Sequence, residues 1–279
     1  MGDHYVPREH LKRFSENAEC KFVWMYDKQS RRSVRAGISA VANEVDYYPD
    51  EVERELAIKV EAPGAECVRK LIRNESLTTE ERFQFSFYMF TMATRGPRRR
   101  RQVQAMSSDV LASTITEVRE VITQGSDPEK VAKRLKELDQ VEAQFNAALP
   151  QELQDGIIRT PFTSPSTVGA VFQMTWNICK ASNARFVTGD TPAHFFPSLG
   201  VGRPNSEFTF PLSTSHALIG QHLGINKVIY RDVNQRDVKE VNRRILSQVE
   251  RFAFSEIEEP WIDTVVQKRF HHESLIRWK

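Results

Sequence analysis

Residues 78–97 read Thr78-Thr-Glu-Glu-Arg-Phe-Gln-Phe-Ser-Phe-Tyr-Met-Phe-Thr-Met-Ala-Thr-Arg95-Gly96-Pro97, and this stretch decides the fold. Phe83, Phe85, Phe87, Tyr88, Phe90 and Met92 do not fit on one narrow helical stripe. A helix carrying them has to be buried on more than one side, in the centre of a helical layer. Thr78 or Thr79 offers a hydroxyl to the free amides of the first turn, with Glu81 or Arg82 just inside. Gly96-Pro97 supplies two terminating signals, which places the helix end near Arg95.

Working outward, residues 98–122 predict a second long helix. Asp127-Pro128-Glu129 predicts the start of a third, with Asp127 as cap and Pro128 in the first turn. Val131, Leu135, Leu138, Val141 and Phe145 recur along that third helix at near-helical spacing. Residues 76–149 are therefore expected to form a helical subdomain or insertion in one domain spanning 1–279. Residues 150–165 carry turn formers.

The flanks read as strands and shorter helices. Residues 21–28 and 33–35 predict a hairpin, and Leu11 to Ser15 a helical turn. Residues 51–61 have helical spacing and reach an end or a restart at Pro63-Gly64. Downstream, 185–188, 207–211 and 227–230 predict strands, 171–178 a helix or a strand, and 233–252 a final long helix. The expected class is α+β, with a mixed core formed by N- and C-terminal segments and a central helical layer.

Composition sets limits on function. The 39 Lys and Arg against 37 Asp and Glu give a net charge of +2, so no global field draws the chain to nucleic acid or to an anionic surface. Cys20, Cys67 and Cys179 form neither a disulfide framework nor a thiolate zinc motif. No stretch is long and apolar enough for a membrane span, and no signal-peptide core opens the chain. Cytoplasmic residence is the expectation, without membrane partners and with oligomeric state open.

The most specific cluster is Asp3-His4-Tyr5-Val6-Pro7-Arg8, followed by Leu11-Lys12-Arg13-Phe14-Ser15. An imidazole, a guanidinium and a stiffened backbone here imply a terminus tied into the fold. Together with Arg95-Gly96-Pro97 and its arginine run, Phe186-Val187-Thr188-Gly189-Asp190-Thr191-Pro192 and Asn242-Arg243, it resembles a mostly bacterial family of uncharacterised proteins marked by an N-terminal His-Tyr-Val-Pro-Arg motif. The resemblance spans residues 3 to 255. The family form usually has serine and asparagine where this chain has Gly189 and Thr191.

Chemistry-bearing residues follow from these landmarks. His4 is either a metal ligand or proton carrier, or a buried structural histidine. Arg8 suits a phosphate or an internal pair with Asp190 or Glu53. Glu53 and Glu61, about 80° apart on an ideal helix, could hold Mg²⁺ or Mn²⁺ with Asp190 as a third ligand. Asp190 could equally cap a turn through backbone amides. Arg95, Arg98, Arg99, Arg100 and Arg101 form the one dense basic patch, suited to RNA or DNA phosphates or to internal pairing.

The expected activity is that of a metal-assisted phosphodiesterase or nuclease, used as a toxin or in defence, with His4, Arg8 and Asp190 as catalytic residues. The alternative is a non-enzymatic module recognising nucleic acid or an acidic protein.

Overall fold

The structure is a computed structural model and describes residues 2–16, 21–45, 47, 49–163, 165–196, 200–268 and 276. Cys20, Asp46, Tyr48 and the His271-His272 pair singled out in the sequence lie outside the described residues. The elements of the first half are β1 (Asp3–His4), α1 (Arg8–Lys12), β2 (Phe22–Asp27), β3 (Arg32–Gly37), β4 (Asn43–Glu44), α2 (Asp50–Glu55), a π segment (Leu56–Glu61), α3 (Ala62–Ile72) and α4 (Thr79–Thr94). Then come α5 (Pro97–Thr123), α6 (Pro128–Thr163), α7 (Pro165–Gln173), β5 (Thr175–Ala181), β6 (Thr188–Gly189), β7 (His194–Phe195), β8 (Glu207–Pro211) and β9 (His216–Gln221). The last are β10 (Val228–Val233), α8 (Gln235–Gln248), β11 (Phe252–Ser255) and α9 (Pro260–Val266).

The fold is α+β. The chain divides into two compact units, one formed up to Arg98 and from Thr160 onward, the other by Arg99–Arg159. The aromatic helix α4 thus belongs with the mixed unit, and the helical unit is narrower than residues 76–149.

In the mixed unit, five strands lie in the order β10-β5-β9-β8-β7, with β10 parallel to β5 and the other pairs antiparallel. Four strands form a second, antiparallel sheet, β3-β2-β11-β6. One face of the larger sheet meets α4 through rings: Phe85 lies 5.6 Å from Trp176, and Tyr88 5.9 Å from Phe210. On its other face Cys179, Ala181, Ala217 and Ile219 pack with Val238 and Val241 of α8. Farther along α8, Leu246 joins Tyr26, Ala253 and Ile262 under the smaller sheet.

The entry to α4 is a capping box, in which Thr78 Oγ1 accepts from the Glu81 amide at 3.1 Å and Glu81 Oε2 from the Thr78 amide at 2.9 Å. From Tyr88 to Gly96 every residue is buried, as the aromatic load required. In the helical unit, Asp127 accepts from the amides of Glu129 and Lys130 and so caps α6. Arg119 of α5 bonds Asp139 and Glu142 of α6 at 2.8 and 3.2 Å.

Three local expectations change, and one open reading is decided. Residues 150–163 continue α6 instead of turning, because the amide donors lost at Pro150 and Pro161 are outweighed by the helix-forming residues around them. Of the two readings open at Pro63-Gly64, the restart holds: Pro63 sits in the first turn of α3, where its missing amide costs little. The strand expected over 185–188 is only Thr188–Gly189, since Asn242 of α8 takes the place of a neighbouring strand: its Oδ1 accepts from the Val187 amide and its Nδ2 donates to the Arg185 carbonyl. The last helix covers Gln235–Gln248, with Asn234 as its cap and Phe252 already in β11.

Candidate functional site

The amino-terminal segment is held from several sides. β1 pairs with β4, and the Tyr5 amide donates to the Ala42 carbonyl at 3.0 Å. Arg95, at the end of α4, reaches into this segment: Nε donates to the Tyr5 carbonyl at 2.7 Å and Nη2 to the His4 carbonyl at 3.2 Å. Its Nη1 pairs with Glu61 Oε1 at 2.7 Å. The Tyr47 hydroxyl closes the arrangement by donating to the Arg95 carbonyl at 3.0 Å.

The π segment explains how Glu53 and Glu61 come together. Eight positions along an ideal α-helix leave two side chains about 80° apart, whereas one extra residue accommodated in a wider turn reduces the offset to about 20°. Leu56–Glu61 is such a wider turn. The two carboxylates consequently feel each other, and a third acid joins them from β1. Asp3, 7 % exposed, shares a hydrogen bond with Glu53. Burial first, then that bond and the negative charges of Asp3, Glu61 and Asp50, hold the Glu53 carboxyl above its usual range.

His4 stands beside this acid cluster. Burial lowers its pKa most; a bond to the Ile38 backbone and the charge of Glu61 oppose that, while Arg8 and Arg95 add to it. The imidazole is therefore neutral at pH 7, and its Nε2 is buried with no hydrogen-bond partner among the described residues. Arg8, at the start of α1, is exposed. The structure thus gathers His4, Arg8, Glu53, Glu61 and, unforeseen as a site residue, Asp3.

Asp190 has a different place. It is fully buried, and its two oxygens accept from the amides of Glu250, Arg251 and Phe252 at 2.9, 2.6 and 2.8 Å. Burial pushes its carboxyl up to about 6 against the opposing pull of those three amides. This bonding stops α8 and starts β11, which is why residues 249–252 leave the helix. Gly96 abuts the same turn, since a Cβ there would lie 2.6 Å from the Asp190 carbonyl oxygen. Among the described residues no three His, Cys, Asp or Glu side chains are grouped to hold a metal ion, so Glu53, Glu61 and Asp190 do not form one donor set.

The arginine run divides as well. Arg95 is 2 % exposed and committed to the bonds above, which corrects its expected role at nucleic acid. Arg98 is half-buried and donates to the Ser247 carbonyl at 2.8 Å, capping the end of α8. Arg99 and Arg101 are exposed and Arg100 is half-buried; these three belong to the helical unit. The thiols of Cys67 and Cys179 are buried, and burial pushes them up to about 11 and about 12, which removes both as nucleophiles at neutral pH.

The family model matches residues 3–259. The chain belongs to DUF4238, a family of proteins of unknown function. In this DUF4238 chain the matched span includes the acid cluster, Arg95 and Asp190. A search of curated proteins and one of solved structures each returned no match. No helix among the described residues is long and apolar enough to cross a membrane.

A second polar assembly escaped the sequence reading. On the α8 face of the larger sheet, Arg231 bonds Asn177, Asn177 bonds Gln221, and Gln221 bonds Glu207. Glu207 pairs with Arg244 of α8, both side chains being fully buried. The backbone of Ile276 docks on this ladder, donating its amide to Glu207 at 3.0 Å and accepting from Gln221 at 2.9 Å. A glutamate opening a strand that carries Phe208 and Phe210 was the one signal available.

Proposed function

We propose that this DUF4238 chain is a cation-assisted phosphodiesterase acting on RNA or DNA, with its reaction centre at Asp3, Glu53 and Glu61. The observation that supports this reading is the hydrogen-bonded contact of the Asp3 and Glu53 side chains beside Glu61. Two adjoining acids are a pair that Mg²⁺ or Mn²⁺ can bind, its charge relieving their mutual repulsion. Mg²⁺ commonly takes one or two carboxylates and completes its shell with water and substrate phosphate, so no third protein ligand is required.

In this reading His4, neutral and with an unpartnered Nε2, accepts the proton of a water brought into the cluster with the cation. Arg8 meets the phosphate from the exposed side, and the cation offsets charge developing on the phosphoryl oxygens. Arg95 is a positioning residue that fixes the backbone of His4 and the carboxylate of Glu61.

The test incubates the purified chain with RNA and DNA panels, with Mg²⁺, Mn²⁺ or chelator, beside Glu53→Gln and Asp3→Asn. Cation-dependent cleavage lost in both variants is the expected result. No cleavage on either panel, or cleavage unchanged in Glu53→Gln, overturns the reading. The alternative, a non-enzymatic module for nucleic acid or an acidic protein, draws on the closed bonding of Asp190 and Arg95. Salt-sensitive binding without turnover is its signature.

A further inference from the structure

Helices α8 and α9 and the loop carrying Asn183 enclose a cleft of about 510 Å³. Its lining has an asymmetric chemistry. Gln235, Lys239 and Arg243 follow one another at single-turn spacing along α8, so they form one polar edge. Lys239 and Arg243 are both exposed, and neither has an ion pair or hydrogen bond among the described residues. The third cation of the lining, Arg185, is instead paired with Glu256 at 2.6 Å.

The α9 side presents an aromatic ring. Trp261 is 37 % exposed, and its indole Nε1 donates to Glu259 Oε2 at 2.8 Å. That bond restrains the ring while leaving part of its surface to solvent. Beneath the cleft, Asn242 is buried and both ends of its amide hold the Arg185–Val187 backbone, which braces the loop against α8.

We infer that this cleft binds a nucleoside phosphate, with the base stacked on Trp261 and the phosphate between Lys239 and Arg243. Two uncommitted cations one helical turn apart match the charge of a phosphate group. A solvent-facing indole matches a flat heterocycle, because stacking needs a π face and tolerates any base. The volume lies within the range of small-ligand sites, about 300–1,000 Å³. An apolar ligand would leave both cations unmatched, and inorganic phosphate would leave the indole unused. Asn183 and Gln235 complete the site with amides able to bond a ribose or a base edge.

The site is separate from the acid cluster and stands or falls independently of it. Calorimetry on the full chain, in chelator so that probes stay intact, compares ADP, adenosine, tripolyphosphate and a ten-nucleotide single strand. ADP is expected to bind at least tenfold more tightly than adenosine or tripolyphosphate. Lys239→Ala with Arg243→Ala, and separately Trp261→Ala, each weaken ADP at least tenfold with an unchanged melting temperature, while Trp261→Phe retains most of the affinity. A single strand binding more tightly than ADP assigns the site to a strand, and the reverse order assigns it to a free nucleotide. Absence of binding by ADP and by the strand, or ADP affinity unchanged in the Lys239 and Arg243 double variant, overturns the inference.

Discussion

Replacing Arg95 with methionine separates an architectural guanidinium from a phosphate-binding one. The substitution keeps most of the side-chain volume and removes three interactions: those to the Tyr5 carbonyl at 2.7 Å, the His4 carbonyl at 3.2 Å and Glu61 at 2.7 Å. The Tyr5 bond is fully buried, so its carbonyl is left unsatisfied at a cost of about 1–3 kcal/mol. The Glu61 side chain is 26 % exposed, so water recovers part of what its carboxylate loses. With the half-buried His4 carbonyl added, the total approaches the cost of breaking a buried pair, about 3–5 kcal/mol.

Urea unfolding measures this loss, provided the slope with denaturant stays constant. Hydrogen exchange adds a local signature, because the Tyr5 amide bonded to Ala42 should lose protection before the strands of the larger sheet do. A role at nucleic acid predicts the opposite pair of results, wild-type stability and reduced salt-dependent binding. A stability loss below about 1 kcal/mol, no more than one ordinary hydrogen bond contributes, would refute the argument.

Three further outcomes follow from the same reasoning. Asp190→Asn turns an amide group toward the backbone donors of residues 250–252 and should cost about 2–3 kcal/mol by chemical denaturation; a variant as stable as the parent removes the capping role. Glu53→Gln should stabilise the fold at pH 8 by up to about 1 kcal/mol, the scale of a partly exposed charge pair. Because the folded Glu53 carboxyl takes its proton at a higher pH than the unfolded one, its contribution is complete in acid and is lost as pH rises through the folded value, so the gain should vanish near pH 4. A gain that is instead larger in acid rejects the raised position of the Glu53 carboxyl. Gly64→Ala places a methyl group into the ring of Tyr88 and should cost about 1–3 kcal/mol, read as a lowered melting temperature; no change means that α3 and α4 separate freely there.

The sequence was informative wherever a local signal and a tertiary requirement coincide. Helix α4 shows both: a capping box before it, Gly96-Pro97 after it, and too many rings for one face. The β2–β3 hairpin is legible for a similar reason, being half-exposed and rich in aromatic and β-branched residues. Strand β9 is not. His216-Ala-Leu-Ile-Gly-Gln221 is buried at every position, so the alternation that announces a half-exposed strand is missing. Residues 233–252 carried helical periodicity through to Phe252, and only the carboxylate of Asp190, some sixty positions away, diverts the chain into β11.

The site divides along the same line. The residues alone determined that His4, Arg8, Glu53, Glu61, Arg95 and Asp190 bear the polar chemistry, because imidazole, guanidinium and carboxylate at well-marked turns and helix ends are visible without coordinates. Which of them meet was decided in three dimensions. A wider helical turn aligned Glu53 with Glu61, β1 brought Asp3 to them, burial committed Arg95 to the amino-terminal backbone, and three amides occupied Asp190. Side-chain chemistry belongs to each residue, but hydrogen-bond partners and loss of water belong to the packed chain, and those two quantities separate a partly exposed acid cluster from a sealed turn.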